Sequence, residues 1–63
     1  MNMKLKINSR VRLIIKDLLE KFKIPKKTIG KVTRLNGDRI TVEFIVDDLR
    51  TTIDTFKENV VLI

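Results

Sequence analysis

The stretch Thr28 to Val46, TIGKVTRLNGDRITVEFIV, constrains this chain more than any other, because it reads as one β-hairpin with its turn at Asn36 and Gly37. On the second strand Ile40, Val42, Phe44 and Val46 alternate with Arg39, Thr41, Glu43 and Ile45, the period of two that marks a half-buried strand. Register matters most here, since a slip of one residue turns every side chain to the opposite face. A two-residue loop at Asn36-Gly37 would pair Leu35 with Asp38, Thr33 with Ile40 and Lys31 with Val42, which drives Lys31 into the core. A three-residue loop, Leu35-Asn36-Gly37, closed by a glycine bulge instead pairs Arg34 with Asp38 and Val32 with Ile40, and sets Gly30 opposite Val42. The second register is preferred because it gathers Val32, Ile40, Val42 and Phe44 on one face. Lys31, Thr33, Arg39, Thr41 and Glu43 then lie outside. A glycine inside a strand forfeits packing and backbone entropy, so Gly30 is read as a bend or a close backbone approach.

With 63 residues the chain is a single domain, and at that size only about 60% of the unfolded surface can be buried. Cysteine and histidine are both absent. No disulfide can form, and the usual zinc and haem ligands and the commonest general base are missing. No cofactor is expected. The longest apolar run is the four residues Val60 to Ile63, so no segment is expected to span a membrane. MNMKLKIN has positive charge but no apolar region or small-residue cleavage site after it, so it is not read as a secretory signal, and a cytoplasmic location is the expectation.

Met1 to Asn8 alternates loosely and is read, with Ser9, as a lead-in arm or strand; Asn8-Ser9 is a turn signal, and the domain proper covers residues 10 to 63. Arg10 to Ile15 is a strand with Val11, Leu13 and Ile15 inward and Arg10, Arg12 and Ile14 outward. In Lys16 to Lys23, Ile15, Leu18, Leu19 and Phe22 recur at helical spacing while Asp17 and Glu20 sit like a cap and its reciprocal partner. So short a helix is marginal alone, and the reading is a long structured loop with room for one helical turn, ended by Pro25. Leu18, Leu19 and Phe22 would plug one open end of a barrel. After the hairpin, Asp47-Asp48 favours a turn. Thr51 to Phe56 is β-prone, with Ile53 and Phe56 facing in, and Phe56 to Asn59 makes a tight turn. The apolar Val60 to Ile63 must be paired, and pairing with the first strand would help close a barrel.

The resulting class is all-β, a small five-stranded barrel with a long first loop and a short turn before the last strand. Arg10-Val11-Arg12-Leu13-Ile14, Ile24-Pro25-Lys26-Lys27-Thr28-Ile29-Gly30-Lys31-Val32 and Ile40-Thr41-Val42-Glu43-Phe44, in this order of elements, resemble the small Src-homology-3-like β-barrels over residues 10 to 63. Ile-Gly-Lys-Val and Thr-Val-Glu-Phe are similar to phrases of KOW-type ribosomal and transcription-factor modules, of short uncharacterised bacterial domains and of photosystem and nitrile hydratase accessory-subunit barrels. These relatives do different jobs, so the resemblance speaks to fold more than to function. The proline-peptide-binding branch is a poor match, because this chain has no tryptophan or tyrosine to line a groove.

Net charge is +6, and its distribution is uneven: residues 1 to 34 balance at +9 and residues 35 to 63 at −3. Such an excess predicts a basic face that attracts polyanions. The candidate set is Arg10, Arg12, Lys16, Lys21, Lys23, Lys26, Lys27, Lys31 and Arg34, whose contacts with DNA or RNA phosphates would release counterions. The plainer reading is a charged, soluble surface. Phe22, Phe44 and Phe56 are the only rings and are read as buried, so binding is expected to follow the backbone with little sequence discrimination. The alternative partner is an acidic protein, or a second copy that covers Ile14, Ile29 or Ile45. Asp47, Asp48, Asp54 and Glu58 lack the spacing of a calcium loop and are read as turn and surface acids, so no metal site is expected. No nucleophile and base stand at a supporting spacing, and the chain is read as a non-enzyme. Lys31 and Glu43 are read as a cross-strand ion pair.

Overall fold

Hydrogen bonding joins five antiparallel strands into one sheet in the computed structural model, which describes residues 4–63. The strands are β1 (Arg10–Leu13), β2 (Ile29–Asn36), β3 (Arg39–Val46), β4 (Leu49–Phe56) and β5 (Val60–Leu62), in the spatial order β4-β3-β2-β1-β5. A helix, α1 (Lys16–Lys21), follows β1, and one turn of 3-10 helix, Lys57–Asn59, precedes β5. As expected, the terminal strand pairs with the first, with Leu13 opposite Val60 and Val11 opposite Leu62. No pairing joins β4 to β5 among the described residues, so the sheet is not closed into a barrel. β5 has only three residues, and the 3-10 turn that leads from β4 into it is held back against β4 by Asn59 Nδ2 donating to Thr55 Oγ1 at 2.8 Å.

Both expected hairpin registers are corrected. Asn36 pairs with Arg39 and Leu35 with Ile40, so the loop is Gly37-Asp38, with Gly37 at φ +62°. Glycine at the first central position of a two-residue loop is the type II′ pattern, whose twist matches the strands. Continued unbroken, that register would oppose Val32 to Glu43. The ladder shifts between Val32 and Arg34, leaving Thr33 extra, and thereafter Val32 faces Val42 and Lys31 faces Glu43. The bulge therefore lies at Thr33 rather than at the glycine, and the face assignment survives: Val32, Ile40, Val42 and Phe44 are all buried.

Those four side chains pack with Val11, Leu13, Ile24, Ile53 and Val60 into one core, and Leu5, Leu18, Leu19, Phe22, Leu35 and Val46 lie partly buried against it. Fully burying aliphatic and aromatic side chains of this size contributes roughly 1.5–3 kcal/mol each. The strand expected over Arg10 to Ile15 stops at Leu13, and Ile15 becomes the residue that precedes α1, half-buried and without a side-chain cap. The Asp17–Glu20 capping pair is accordingly not formed. Instead the helix is closed at its other end: Ile24 N–H donates to Leu19 C=O (2.8 Å) and Lys23 N–H to Glu20 C=O (3.2 Å), with Lys23 at φ +57°. This is a Schellman motif, and the buried Ile24 and half-buried Leu19 supply the apolar contact such a motif favours.

Phe56, expected inside, is 48% exposed, because it alternates with the buried Ile53 and Thr55. The Asp47-Asp48 turn has both residues at positive φ, +51° and +66°, the type I′ arrangement between Val46 and its partner Leu49. No strand precedes Arg10 among the described residues; the turn expected at Asn8-Ser9 falls one residue earlier, on Ile7 and Asn8, closed by Ser9 N–H donating to Lys6 C=O, while Asn8 N–H donates to Val32 C=O. Residues 1–3 of the expected lead-in lie outside the described residues.

Candidate nucleic-acid interface

Alternation along each strand sorts the charged residues onto the side opposite the core. Arg10 stands beside Lys31, Lys31 beside Glu43, and Glu43 beside Thr52, making one row across β1 to β4. On one side of it Arg12 lies between Ile29 and Val61, and Ile45 faces Arg50. On the other, Arg34 faces Thr41 and Thr41 faces Asp54, followed by Asn36, Arg39 and Phe56. The outer face of the sheet thus carries Arg10, Arg12, Lys31, Arg34, Arg39 and Arg50 against Glu43 and Asp54.

Both acids are already engaged. Glu43 Oε2 is 3.2 Å from Arg50 Nε, and Asp54 Oδ1 accepts the Thr41 hydroxyl at 2.6 Å. The expected Lys31–Glu43 ion pair is therefore corrected: Lys31 is Glu43's neighbour in the ladder, but the carboxylate turns to Arg50 on the far strand. That leaves Lys31, beside Arg10, without a short contact to an acid among the described residues. Like charges directly opposite one another on a sheet are unfavourable, so the Arg10–Lys31 neighbourhood is a local electrostatic cost that an external anion would relieve.

A second grouping lies where β1 ends. Arg12, Lys16, Lys23 and Lys26 rim an open groove between the end of β1, α1 and the segment around Pro25, with Leu13, Ile14, Leu19 and Ile24 beneath and Glu20 as its one acid among the described residues. Glu20 is 4.0 Å from Lys16, and both side chains are exposed, so that pair contributes little. Arg12 belongs to the groove and to the sheet face and joins the two. At the opposite end Arg34, Asn36, Arg39, Thr41 and Asp54 line a small polar notch.

Of the nine basic residues expected to form the site, Arg10, Arg12, Lys31 and Arg34 come together on the sheet and Lys16, Lys23 and Lys26 join through Arg12. Lys21 sits on α1 with its Nζ 5.6 Å from the centre of the Phe22 ring, and neither it nor Lys27 lines the groove. Two members of the face, Arg39 and Arg50, are missing from that set because they belong to the acid-rich second half of the chain. The signal for Arg39 was its place beside Ile40 in the alternating strand; for Arg50 it was the alternation with Thr51 and Ile53. Phe56 adds an exposed ring to this face, with the Arg39 guanidinium 5.8 Å from its centre.

The acids weighed as metal candidates do not gather: Asp47 and Asp48 make the β3–β4 turn, Asp54 is bonded to Thr41, and Glu58 is in the 3-10 turn. No family model, curated protein or solved structure matches the chain.

Proposed function

We propose that this chain is a non-catalytic module that binds the phosphate backbone of DNA or RNA, with little sequence discrimination, through the basic outer face of its sheet. The observation that carries the reading is the row structure of that face: six cations against two acids, with one of the six, Arg50, paired to Glu43, the other acid, Asp54, accepting the Thr41 hydroxyl, and Arg10, Arg12, Lys31, Arg34 and Arg39 left to face outward. Phosphate contacts position a protein on nucleic acid without reading its bases, and a surface of arginines and lysines on a rigid sheet supplies such contacts. Arginine, which makes up five of the six, can offer two parallel donors to one phosphate.

The order of elements, strand, helical loop, bent glycine-containing strand, tight hairpin, strand, 3-10 turn and terminal strand, supports the further reading that the domain is related to the small Src-homology-3-like barrels of the KOW-like kind, with its sheet left open between β4 and β5. A cytoplasmic setting goes with it. The competing occupant is an acidic protein, favoured by the exposed Ile29 beside Arg12 and Ile45 beside Arg50.

The test is fluorescence anisotropy with labelled single- and double-stranded DNA and RNA of several sequences, titrated from low to near-physiological salt. Binding whose logarithm falls linearly with the logarithm of salt, at similar strength for each sequence, is the expected result. Absence of binding at the lowest salt would sink the proposal. An affinity capture that recovers an acidic protein, and still does so after nuclease treatment, would replace it with the second reading.

A further inference from the structure

The strand with the longest unpaired edge is β4, eight residues at one end of the sheet, and no strand lies on its outer side among the described residues. Which of its backbone groups point that way follows from one bond. Lys57 N–H donates to Asp38 C=O at 2.8 Å, which continues the β3–β4 ladder by one more pair. Hydrogen-bonded pairs alternate along an antiparallel ladder, so Leu49, Thr51, Ile53 and Thr55 spend their backbone groups on β3. The N–H and C=O groups of Arg50, Thr52, Asp54 and Phe56 therefore face outward. An edge of this length invites another strand unless something blunts it, and β4 contains no proline, no lysine and no break in its register with β3.

We propose that this edge pairs with β4 of a second copy of the same chain, antiparallel, about a two-fold axis at Thr52. The charges select that register. With Thr52 opposite its own counterpart, Arg50 faces Asp54 of the partner subunit and Asp54 faces Arg50 of the partner subunit. This satisfies the outward backbone groups of three consecutive outward-facing residues and sets an opposite charge beside each of two groups that within one chain contact Glu43 and the Thr41 hydroxyl respectively. Moving the axis to Thr51 would oppose Asp54 to Asp48 of the partner subunit, acid against acid. Moving it to Ile53 would oppose Arg50 to Phe56 of the partner subunit and Asp54 to Thr52 of the partner subunit, so neither charge would meet an opposite one across the axis. A one-residue offset is excluded, because it would set core-facing residues against solvent-facing ones. In the selected register Leu49, 70% exposed in the single chain, lies beside Thr55 of the partner subunit and is covered. The contact is isologous and closes on itself, so it ends at a dimer and does not propagate into a fibre.

The experiment is sedimentation velocity over a wide concentration range on three proteins: the natural chain, Arg50→Asp and Asp54→Arg, each checked for cooperative melting. The natural chain dimerises. Each single variant places like charges across the two-fold axis, aspartate against aspartate or arginine against arginine, and weakens association at least tenfold. An equimolar mixture of the two variants restores a dimer, because every pair across the axis is again opposite in sign. A natural chain that stays monomeric at all concentrations, or variants that dimerise unmixed, overturns the proposal. So does a mixture that stays monomeric although both variants melt cooperatively. Amide hydrogen exchange on the natural chain supplies a reading independent of the variants: protection of Thr52 and Asp54 must rise with protein concentration, and concentration-independent exchange at both overturns the edge pairing.

Discussion

Gly30 lies so close to Phe44 that a Cβ on the glycine would stand 2.6 Å from Cε1 of the ring, and equally 2.6 Å from Cγ1 of Val42. The ring fills the space a side chain would take where β2 passes between β1 and β3, with Gly30 paired to Val11. Both contacts involve fully buried groups with nowhere to go. Gly30→Ala is therefore expected to cost about 1–3 kcal/mol through overpacking, and Phe44→Ala about 3–5 kcal/mol through the cavity it leaves. Combining Gly30→Ala with Phe44→Leu should cost less than the two single changes added together, since the smaller side chain vacates the contested space. Urea denaturation of the single and double variants beside the natural chain checks this; strictly additive losses would mean that the two positions do not share the space.

Lys23 pays for the Schellman closure of α1 by holding a left-handed conformation at φ +57°, which costs an L-residue roughly 1–2 kcal/mol and glycine nothing. Glycine gives back part of that gain through the greater freedom of its unfolded chain. Lys23→Gly should therefore stabilise the domain by about 0.5–1 kcal/mol. Lys23→Ala keeps the strain and should not stabilise. A thermal melting series separates these outcomes, and a destabilised Lys23→Gly would show that the lysine side chain holds the turn by its own contacts.

Asp47 and Asp48 occupy both central positions of a type I′ turn, and the second, at φ +66°, is where such turns favour glycine. Aspartate tolerates this conformation better than most residues, so the gain from replacing it is modest. Asp48→Gly should add about 0.5–1 kcal/mol and also remove one of two adjacent like charges, with the β3–β4 register unchanged. The check is the denaturation midpoint together with the cross-strand NMR contacts of Val46 and Leu49; a shifted register would contradict the turn assignment.

How much of this was legible in the chain differs from residue to residue. The buried face of β3 was plain, because Ile40, Val42 and Phe44 alternate with polar residues and no other face can hold them. The pairing partner was not, because the extra residue is Thr33, a polar side chain whose place leaves no mark in the hydrophobic pattern. The glycine that did leave a mark, Gly37, drew the bulge to the wrong place. Leu18, Leu19 and Phe22 showed a helical spacing and do pack on the core, whereas the Schellman closure was hidden because a lysine stands where glycine is usual. Phe56 was assigned by residue type, yet its parity with Thr55 put it outside. Charge summed along the chain found Arg10, Arg12, Lys31 and Arg34 but not Arg50, since a sheet assembles its faces across strands that are distant in sequence.

Arg10 and Lys31 offer the sharpest separation of function from folding. They are direct neighbours across β1 and β2, both exposed, and their like charges oppose each other in the unliganded domain. Replacing both with alanine should leave the melting temperature unchanged or raise it slightly. If each neutralises one phosphate, the same double variant should bind nucleic acid more weakly at low salt. The slope of log K against log salt should then become shallower by about 2 units, roughly 0.9 for each phosphate no longer neutralised. The weakening should be equal across base sequences, because no base is read. Lys57→Ala, which removes a cation from the 3-10 turn rather than from this face, should leave the slope as it is. Anisotropy titrations at four or five salt concentrations measure these slopes. A double variant that binds with the natural slope would show that the phosphates lie elsewhere on the surface, however basic the sheet face is.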